Sequence, residues 1–426
     1  MTVKRNRVFN ALIELKRKFI ESIRPSDFKD YDGKSFTRRR RLDLARMMLI
    51  ILRSNPMSLQ IRLDDFFREI GHKEETVSKQ AFSKARTNLN PDIVKASFQL
   101  TASTLASCDD LVLWKNKYRL CAIDGSDIAL ENEAALVEHF GCSGSKKDAA
   151  TALASLCYDP LNNIIYDAGL YPYGTSEREA ARAHIQAIRA LPCPKGVKNL
   201  SLNDRGYPSR EMFAELIDAG ETFLMRVRKG FNHDFDLVAK KEKVTFTYNG
   251  KAYQVRVFNI TLDSGEKEIL VTNLRGKYLK RHEAGELYFK RWGIETKFRS
   301  LKSKLELENM SGRRPVTVYQ DFWAKLDLAN TAAALEFATD DAIEEATAER
   351  DTKYEKTTNE NRLISNFSDR YLDLMCESDE GKRLSLFDDL VRDIAARPED
   401  VKPDRTSPRS TPRKRRFCDR YKRALR

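Results

Sequence analysis

The 426-residue sequence predicts an α/β fold, in which a mixed β-sheet with packed helices follows an all-helical N-terminal region. Three observations predict it. Apolar residues recur with helical spacing up to about residue 100 and alternate from about residue 117. Between 118 and 229 the chain reads in order as strand, hairpin, helix, strand, helix and strand. Hydrophobic residues make up 41% of the chain, enough for a core at this length, so wholesale disorder is excluded.

The helical region is read from three short amphipathic runs, 42–54, 58–70 and 76–89, separated by Asn55-Pro56 and Gly71. In the third run Val77, Ala81, Ala85 and Leu89 recur at i+4 and are expected to pack inward. Ser78, Lys79, Ser83, Lys84, Arg86 and Thr87 are then left outward. Small polar and basic residues on a short helix suit a DNA groove, and equally suit an ordinary solvated face.

Tyr118 to Asp124 alternates and reads as the first strand. Residues 150–158 and 163–171 flank Asp159-Pro160-Leu161-Asn162 and form a hairpin. Ser176 is expected to cap a helix over 177–191 that ends near Pro192 and Pro194. A strand (199–204), a helix (208–220) and a strand (221–229) follow. Residues 244–262, folded at Asn249-Gly250, read as a second small β unit, and 268–275 as another strand. One long helix is expected over about 278–305 and another over 321–338, with 340–400 acidic and partly helical. The implied domains are a helical region at 1–110, a sheet-based core at 111–338 with a β-rich insertion at about 230–276, an acidic region at 339–401 and a basic, disordered tail at 402–426.

The net charge of +13 is concentrated at the two ends. Residues 1–90 carry +10 and residues 402–426 carry +9, which leaves the middle of the chain at −6. Polyphosphate is the commonest partner of such ends, although a basic tail can also serve solubility alone. No apolar run is long enough to span a membrane, and the N-terminus lacks a signal core, so a cytoplasmic chain is expected. Seven cysteines without a CxxC pair argue against a disulfide framework or zinc knuckle, and the five histidines show no HExxH spacing.

The strongest signal lies in the 278–305 segment. On one continuous helix, Tyr288, Arg291, Glu295 and Lys302 would share an arc of about 60°, beside an apolar stripe of Leu287, Ile294, Phe298, Leu301 and Leu305. Lys290, Lys297 and Lys304 would fill the far side. An Arg291–Glu295 i,i+4 salt bridge explains part of this pattern without any function. Asp124, before Gly125, and Asp204, before Arg205-Gly206-Tyr207, are expected at strand carboxyl ends, facing a cleft. With Glu295 they offer the carboxylate oxygens that hard divalent cations take, and two such ions can hydrolyse a phosphodiester.

These residues resemble the DDE transposases of bacterial insertion sequences, in particular the IS-four-type branch marked by a Tyr-Arg-Glu-Lys signature. The resemblance covers about 37–335. It implies a ribonuclease-H-like catalytic core with a β-rich insertion between the second Asp and the Glu. It implies that Asp124, Asp204 and Glu295 hold Mg²⁺, with Mn²⁺ as a substitute. Tyr288, Arg291, Lys302 and Arg205 would bind DNA phosphates, and Arg38, Arg39, Arg40, Arg41, Lys79, Gln80, Ser83 and Lys84 would bind DNA through the N-terminal helices. The implied partners are double-stranded DNA, as terminal inverted repeats and target, and a second copy of the chain. The implied setting is the bacterial cytoplasm, on the nucleoid. Two rival readings share these residues: a nuclease that cuts without joining, and a DNA-binding protein that no longer reacts. Some members of that family stack a flipped base on an aromatic of the insertion; Phe246, Tyr248 and Tyr253 are the nearest aromatics, but strand aromatics usually serve the core, so none is assigned that role.

Overall fold

Six of the twelve residues of β1 (Tyr118–Ala129) are buried in succession, from Tyr118 to Ile123. A strand covered on both faces has no reason to alternate, and β2 (Thr151–Asp159) is buried along its whole length in the same way. In this computed structural model β1 lies third in an eight-stranded sheet, between β2 and a parallel neighbour. The structure describes residues 2–28, 33–37, 41–53, 57–143, 150–231, 235, 242–261, 265, 267–348 and 353–401. Arg38, Arg39, Arg40 and the basic tail at 402–426 therefore lie outside the described residues.

The remaining strands are β3 (Ile164–Pro172), β4 (Lys198–Asn203), β5 (Thr222–Val227), β6 (Lys243–Tyr248), β7 (Lys251–Thr261) and β8 (Lys267–Thr272). Their order in the sheet is β3-β2-β1-β4-β5-β8-β7-β6. β1 to β3 are antiparallel neighbours, whereas β1, β4 and β5 run parallel. That order and polarity are those of a ribonuclease-H-like core. The predicted second β unit is not separate from it: β8 pairs antiparallel with β5, so β6 to β8 extend the same sheet. The β6–β7 hairpin turns at Asn249 (φ 47°) and Gly250 (φ 74°), as an Asn-Gly type I′ turn requires. Phe246 and Tyr253 are buried and stacked at 5.5 Å, so they serve the core.

The chain divides into two compact units. One holds the sheet, from Ala106 to Asn132 and from Val137 to Ser303. Its helices include α6 (Ala134–Phe140), whose first residues fall in the other unit, α7 (Glu177–Ala190) and α8 (Arg210–Asp218). α7 starts after Ser176, but that hydroxyl makes no capping bond, unlike Ser209, which accepts from Met212 N at the start of α8. The expected long helix is two: α9 (Arg281–Phe289) and α10 (Trp292–Ser303). The step at Lys290–Arg291 is closed by i→i−3 bonds such as Arg291 N to Tyr288 O (2.9 Å) and Ile294 N to Arg291 O (3.0 Å). Gly293 sits where a Cβ would come 2.7 Å from Pro160 Cβ, so only glycine lets α10 start against the β2–β3 turn. Lys297 is accordingly not on a solvent face; it is buried and donates to Asn163 Oδ1 at 2.8 Å.

The other unit is helical. It contains α1 (Thr2–Ser22), α2 (Leu44–Leu52), α3 (Leu59–Glu69), α4 (Lys79–Arg86) and α5 (Pro91–Ala106). It also contains α11 (Pro315–Thr347), α12 (Glu360–Cys376) and α13 (Glu380–Ala395). α11 runs 33 residues, past both ends of the expected 321–338 segment, and is buried over most of its length among the others. On α4 the inward face differs from the expected one. Phe82 and Arg86 are buried, with Leu89 just beyond the helix, while Ala81 is exposed and Val77 and Ala85 are only partly covered. Arg86 can face inward because every part of its guanidinium is engaged. It donates to Asp321 Oδ1 (2.6 Å), Gln320 Oε1 (2.7 Å), Thr317 O (3.1 Å) and Ser311 Oγ.

Candidate active site

β1 does not end at Asp124. It continues to Ala129, but its pairing with β4 stops at Ile123↔Asn203, while its pairing with β2 goes on. Asp124 is thus the first residue of β1 to lose its neighbour on one side, and Asp204 is the first residue beyond β4. The parallel strands part there, and both acids stand where they part. This is the crevice position at which open α/β sheets bind ligands.

α9 and α10 bring the third acid. Glu295 lies in the first turn of α10, and Arg291 in the step before it. The step turns Arg291 inward until it is 3% exposed. Its Nη2 donates to Glu295 Oε1 (2.9 Å) and its Nη1 to Asp124 Oδ2 (3.4 Å). Tyr288, the last buried side chain of α9, donates its hydroxyl to Asp204 Oδ1 (3.0 Å). Two signature side chains, Tyr288 and Arg291, therefore engage all three candidate acids. Lys302 reaches the same strand further along, donating to the Asp127 carbonyl at 2.6 Å. Arg205 is exposed beside Asp204.

The electrostatics are those of crowded acids. Burial pushes the Asp124 carboxyl up to about 6, Glu295 and Glu177 push the same way, and Arg291 with the Gly125 N–H offsets part of it. Burial also opposes the Arg291 charge, but Tyr288, Asp204, Glu295 and Asp124 outweigh it and push its pKa up. Among the described residues, three acid or histidine ligand atoms come within 4.8 Å of one another only at His72, Glu74 and Glu75, on the surface. Glu75 there is paired with Arg46. Asp124, Asp204 and Glu295 are spaced more widely than that, with Arg291 bridging two of them. Two ions about 3.5–4 Å apart do not need all three acids around one ion. The donor set is purely carboxylate and hydroxyl, which fits a hard divalent cation and not zinc or a soft metal.

Two features escaped the sequence reading. The first is Glu177, at the start of α7, whose carboxylate faces the same crevice. Burial, Asp127 and Asp204 all push it up. An acid in the first turn of a helix is ordinary, so only the glycines around it carried a signal. The second is a buried Ser155–His184–Asp167 chain. His184 Nδ1 donates to Asp167 Oδ2 (2.7 Å), and its Nε2 pairs with Ser155 Oγ (2.9 Å). These are the contacts of a nucleophilic triad, but His184 is 0% and Ser155 1% exposed, so no substrate reaches them. The chain braces α7 against β2 and β3, and Ser155 Oγ in turn meets the Asp124 carbonyl at 3.4 Å.

Of the candidate DNA contacts, Lys79, Gln80, Ser83 and Lys84 all lie on the exposed face of α4, and Arg41 is exposed before α2. The family model described as "Transposase DDE domain" matches residues 115–330. No curated protein matches the chain. Among solved structures, it is similar to the one described as "Cryo-EM structure of piggyBac transposase synaptic complex with hairpin DNA". That likeness has 11% identity and a TM-score of 0.42, over 96% of this chain and 88% of the other.

Proposed function

We propose, for a chain that belongs to the transposase DDE domain family, that Asp124, Asp204 and Glu295 hold divalent cations during DNA cleavage and joining. Membership makes the chain a metal-dependent DNA transposase. In our reading it belongs to the IS-four-type bacterial branch. It uses Mg²⁺, with Mn²⁺ as a substitute, binds the terminal inverted repeats of its element as a homodimer, and acts on the nucleoid. No helix among the described residues is long and apolar enough to cross a membrane.

One observation carries the residue assignment: Tyr288 and Arg291 bond directly to acids that come from β1, the end of β4 and α10. Asp124, Asp204 and Glu295 would hold the ions, whose chemistry there would be to activate water on one side of a phosphodiester and stabilise the leaving oxygen on the other. Tyr288 fixes one oxygen of Asp204 and leaves the other free to coordinate. Arg291 holds Asp124 and Glu295 at a set separation with a single positive charge, so the pair keeps a net negative charge for cations. Arg205, exposed beside Asp204, and Lys302, on α10, are the groups offered to a DNA phosphate. The 3′-hydroxyl freed by hydrolysis is then the nucleophile that attacks target DNA, and no covalent enzyme intermediate is needed. The outward residues of α4, with Arg41, supply DNA contacts in the helical region.

The test is a cleavage and strand-transfer assay on DNA carrying the element ends, with Mg²⁺ or Mn²⁺. Joined products in the wild-type protein, absent in Asp124→Asn, are expected. Cleavage without joining would convert the reading to a nuclease. Unimpaired cleavage by Asp124→Asn would remove that residue from the site.

A further inference from the structure

Glu177 is set in place by the first turn of α7. A Cβ built on Gly125, next to Asp124, would lie 3.6 Å from Glu177 Oε1, and a Cβ on Gly206, two residues after Asp204, would lie 3.2 Å from Oε2. The carboxylate thus stands between the two segments that carry the candidate acids, and at Gly206 a side chain would crowd it. Arg178, the next residue, ties the start of α7 to the 206–208 turn through the Gly206 carbonyl (3.3 Å) and the Pro208 carbonyl (3.4 Å). His184 fixes the same helix two turns on. Among the described residues Glu177 has no hydrogen bond or ion pair. The acids that shift it are Asp127 and Asp204, and the buried Arg291 is committed to Asp124 and Glu295.

A second group points into the same place. Tyr207 is 1% exposed, and among the described residues its buried hydroxyl has no partner. Burial raises its pKa, and Asp124, Glu177 and Asp204 are all close enough to raise it further. A buried hydroxyl costs free energy unless something accepts or donates to it. An unpaired carboxylate among like charges carries the same kind of cost. A hydrated divalent cation answers both, since carboxylates coordinate it directly and hydroxyls bond to its waters.

The geometry points to Glu177 as a fourth carboxylate of the metal site, shared with Asp204 on one divalent cation whose water the Tyr207 hydroxyl meets. This rests on the reading of Asp124, Asp204 and Glu295 as the metal site, and the experiment separates the two. Mn²⁺ binding to the full-length protein without DNA is measured by titration of free Mn²⁺, for wild type, Glu177→Gln and Asp204→Asn. Loss of roughly 10–100-fold in affinity is expected for Glu177→Gln, in the range seen for ligand-shell changes. Its unfolding midpoint without metal should be unchanged or raised, because a like charge has been removed. Wild-type affinity in Glu177→Gln with weakened Asp204→Asn overturns the fourth ligand and leaves the three-acid site standing. Wild-type affinity in both overturns the site itself. Should Glu177→Gln fail to fold, Fe²⁺-directed hydroxyl-radical cleavage of the wild-type chain decides. Cuts near 177 as well as near 124 and 204 are expected, and cuts near 124 and 204 alone overturn the proposal.

Discussion

Arg291 and Arg86 are both almost wholly buried, at 3% and 5% exposed, and both bridge to carboxylates, but their surroundings differ in one respect. Arg86 in the helical unit is saturated, with partners on Nε, Nη1 and Nη2. Arg291 in the sheet unit has a buried Nε with no partner, and one of its two ion pairs is stretched to 3.4 Å. The carboxylates record the difference. Burial pushes Asp321 up, but Arg86, Lys325 and the Ser311 hydroxyl outweigh it and hold it below the usual value. Asp124 instead ends near 6, because burial pushes it up and its one arginine, shared with Glu295, offsets only part of that, with Glu295 and Glu177 adding to the rise. The Lys16–Asp327 pair repeats the saturated pattern, with Ser97, Thr101 and Thr331 completing it. A buried pair built for stability leaves no valence open, whereas one at a working site keeps charge in reserve for what it will bind.

The sharpest break of that comparison is at the reserve charge. Asp204→Asn keeps the Tyr288 hydrogen bond within reach of the amide oxygen but removes a negative charge. DNA cleavage should fall by at least about 10³-fold, while urea unfolding stays within ~1 kcal/mol of wild type. Asn at position 204 with wild-type cleavage would show that the charge is not in reserve at all. The converse change is Arg86→Met, which strands Asp321, Gln320 and Ser311 in the helical unit. It should cost about 3–5 kcal/mol in urea unfolding, as removing one partner of a buried pair does. A cost below ~1 kcal/mol would mean that the saturated pair is not the stability element described.

Arg291→Lys probes the step between those extremes. One ammonium cannot span Asp124 and Glu295 as Nη1 and Nη2 do. Cleavage should drop about 10–100-fold with a small change in stability. Near wild-type rates would reduce the pair to the i,i+4 salt bridge that its spacing alone suggests. Acid titration separates the two carboxylates by sign. Asp321 has a folded pKa below its ordinary 3.8, so its stabilisation is complete above that value and is lost as pH falls below it. Asp321→Asn should therefore flatten the acid side of the stability curve, measured from pH 2 to 6. A curve of unchanged slope would contradict the pairing with Arg86.

How much of this could be read in advance follows the same division. The sheet was legible because strand runs between turn residues declare themselves, and Asn249-Gly250 names its own turn. That Asp124 lies within a strand was not, since it depends on where β4 stops. Lys290 and Arg291 are good helix formers, so the break between α9 and α10 is invisible locally, as is the close approach of Gly293 to Pro160 of the β2–β3 turn. Arg86 was expected outward because basic residues usually are, and its burial depends on Asp321, 235 positions away. Tyr288, Arg291 and Glu295 were legible as a set, but the step in the helix, not a shared arc, is what brings them to the acids.

The smallest expected effect is on the exposed face of α4, which neither buried pair touches. Lys79, Gln80, Ser83 and Lys84 are exposed there, and the helix needs none of them for packing. Its start is fixed instead by Ser78 Oγ, which accepts from Ala81 N (3.2 Å), and by Gln60 Oε1, which accepts from Lys79 N (2.9 Å). Gln80→Ala should then leave unfolding within ~0.5 kcal/mol of wild type. If the helix reads the element ends, Gln80 can pair with adenine in the major groove, and its loss should lower the ratio of specific to non-specific affinity by about fivefold, or ~1 kcal/mol. The ratio has to be measured at physiological salt, because +10 on the first 90 residues guarantees affinity for any duplex. A variant that loses affinity equally for all sequences would make α4 a phosphate contact. A variant that loses neither affinity nor stability would leave that face merely solvated, and would move sequence recognition to another part of the protein.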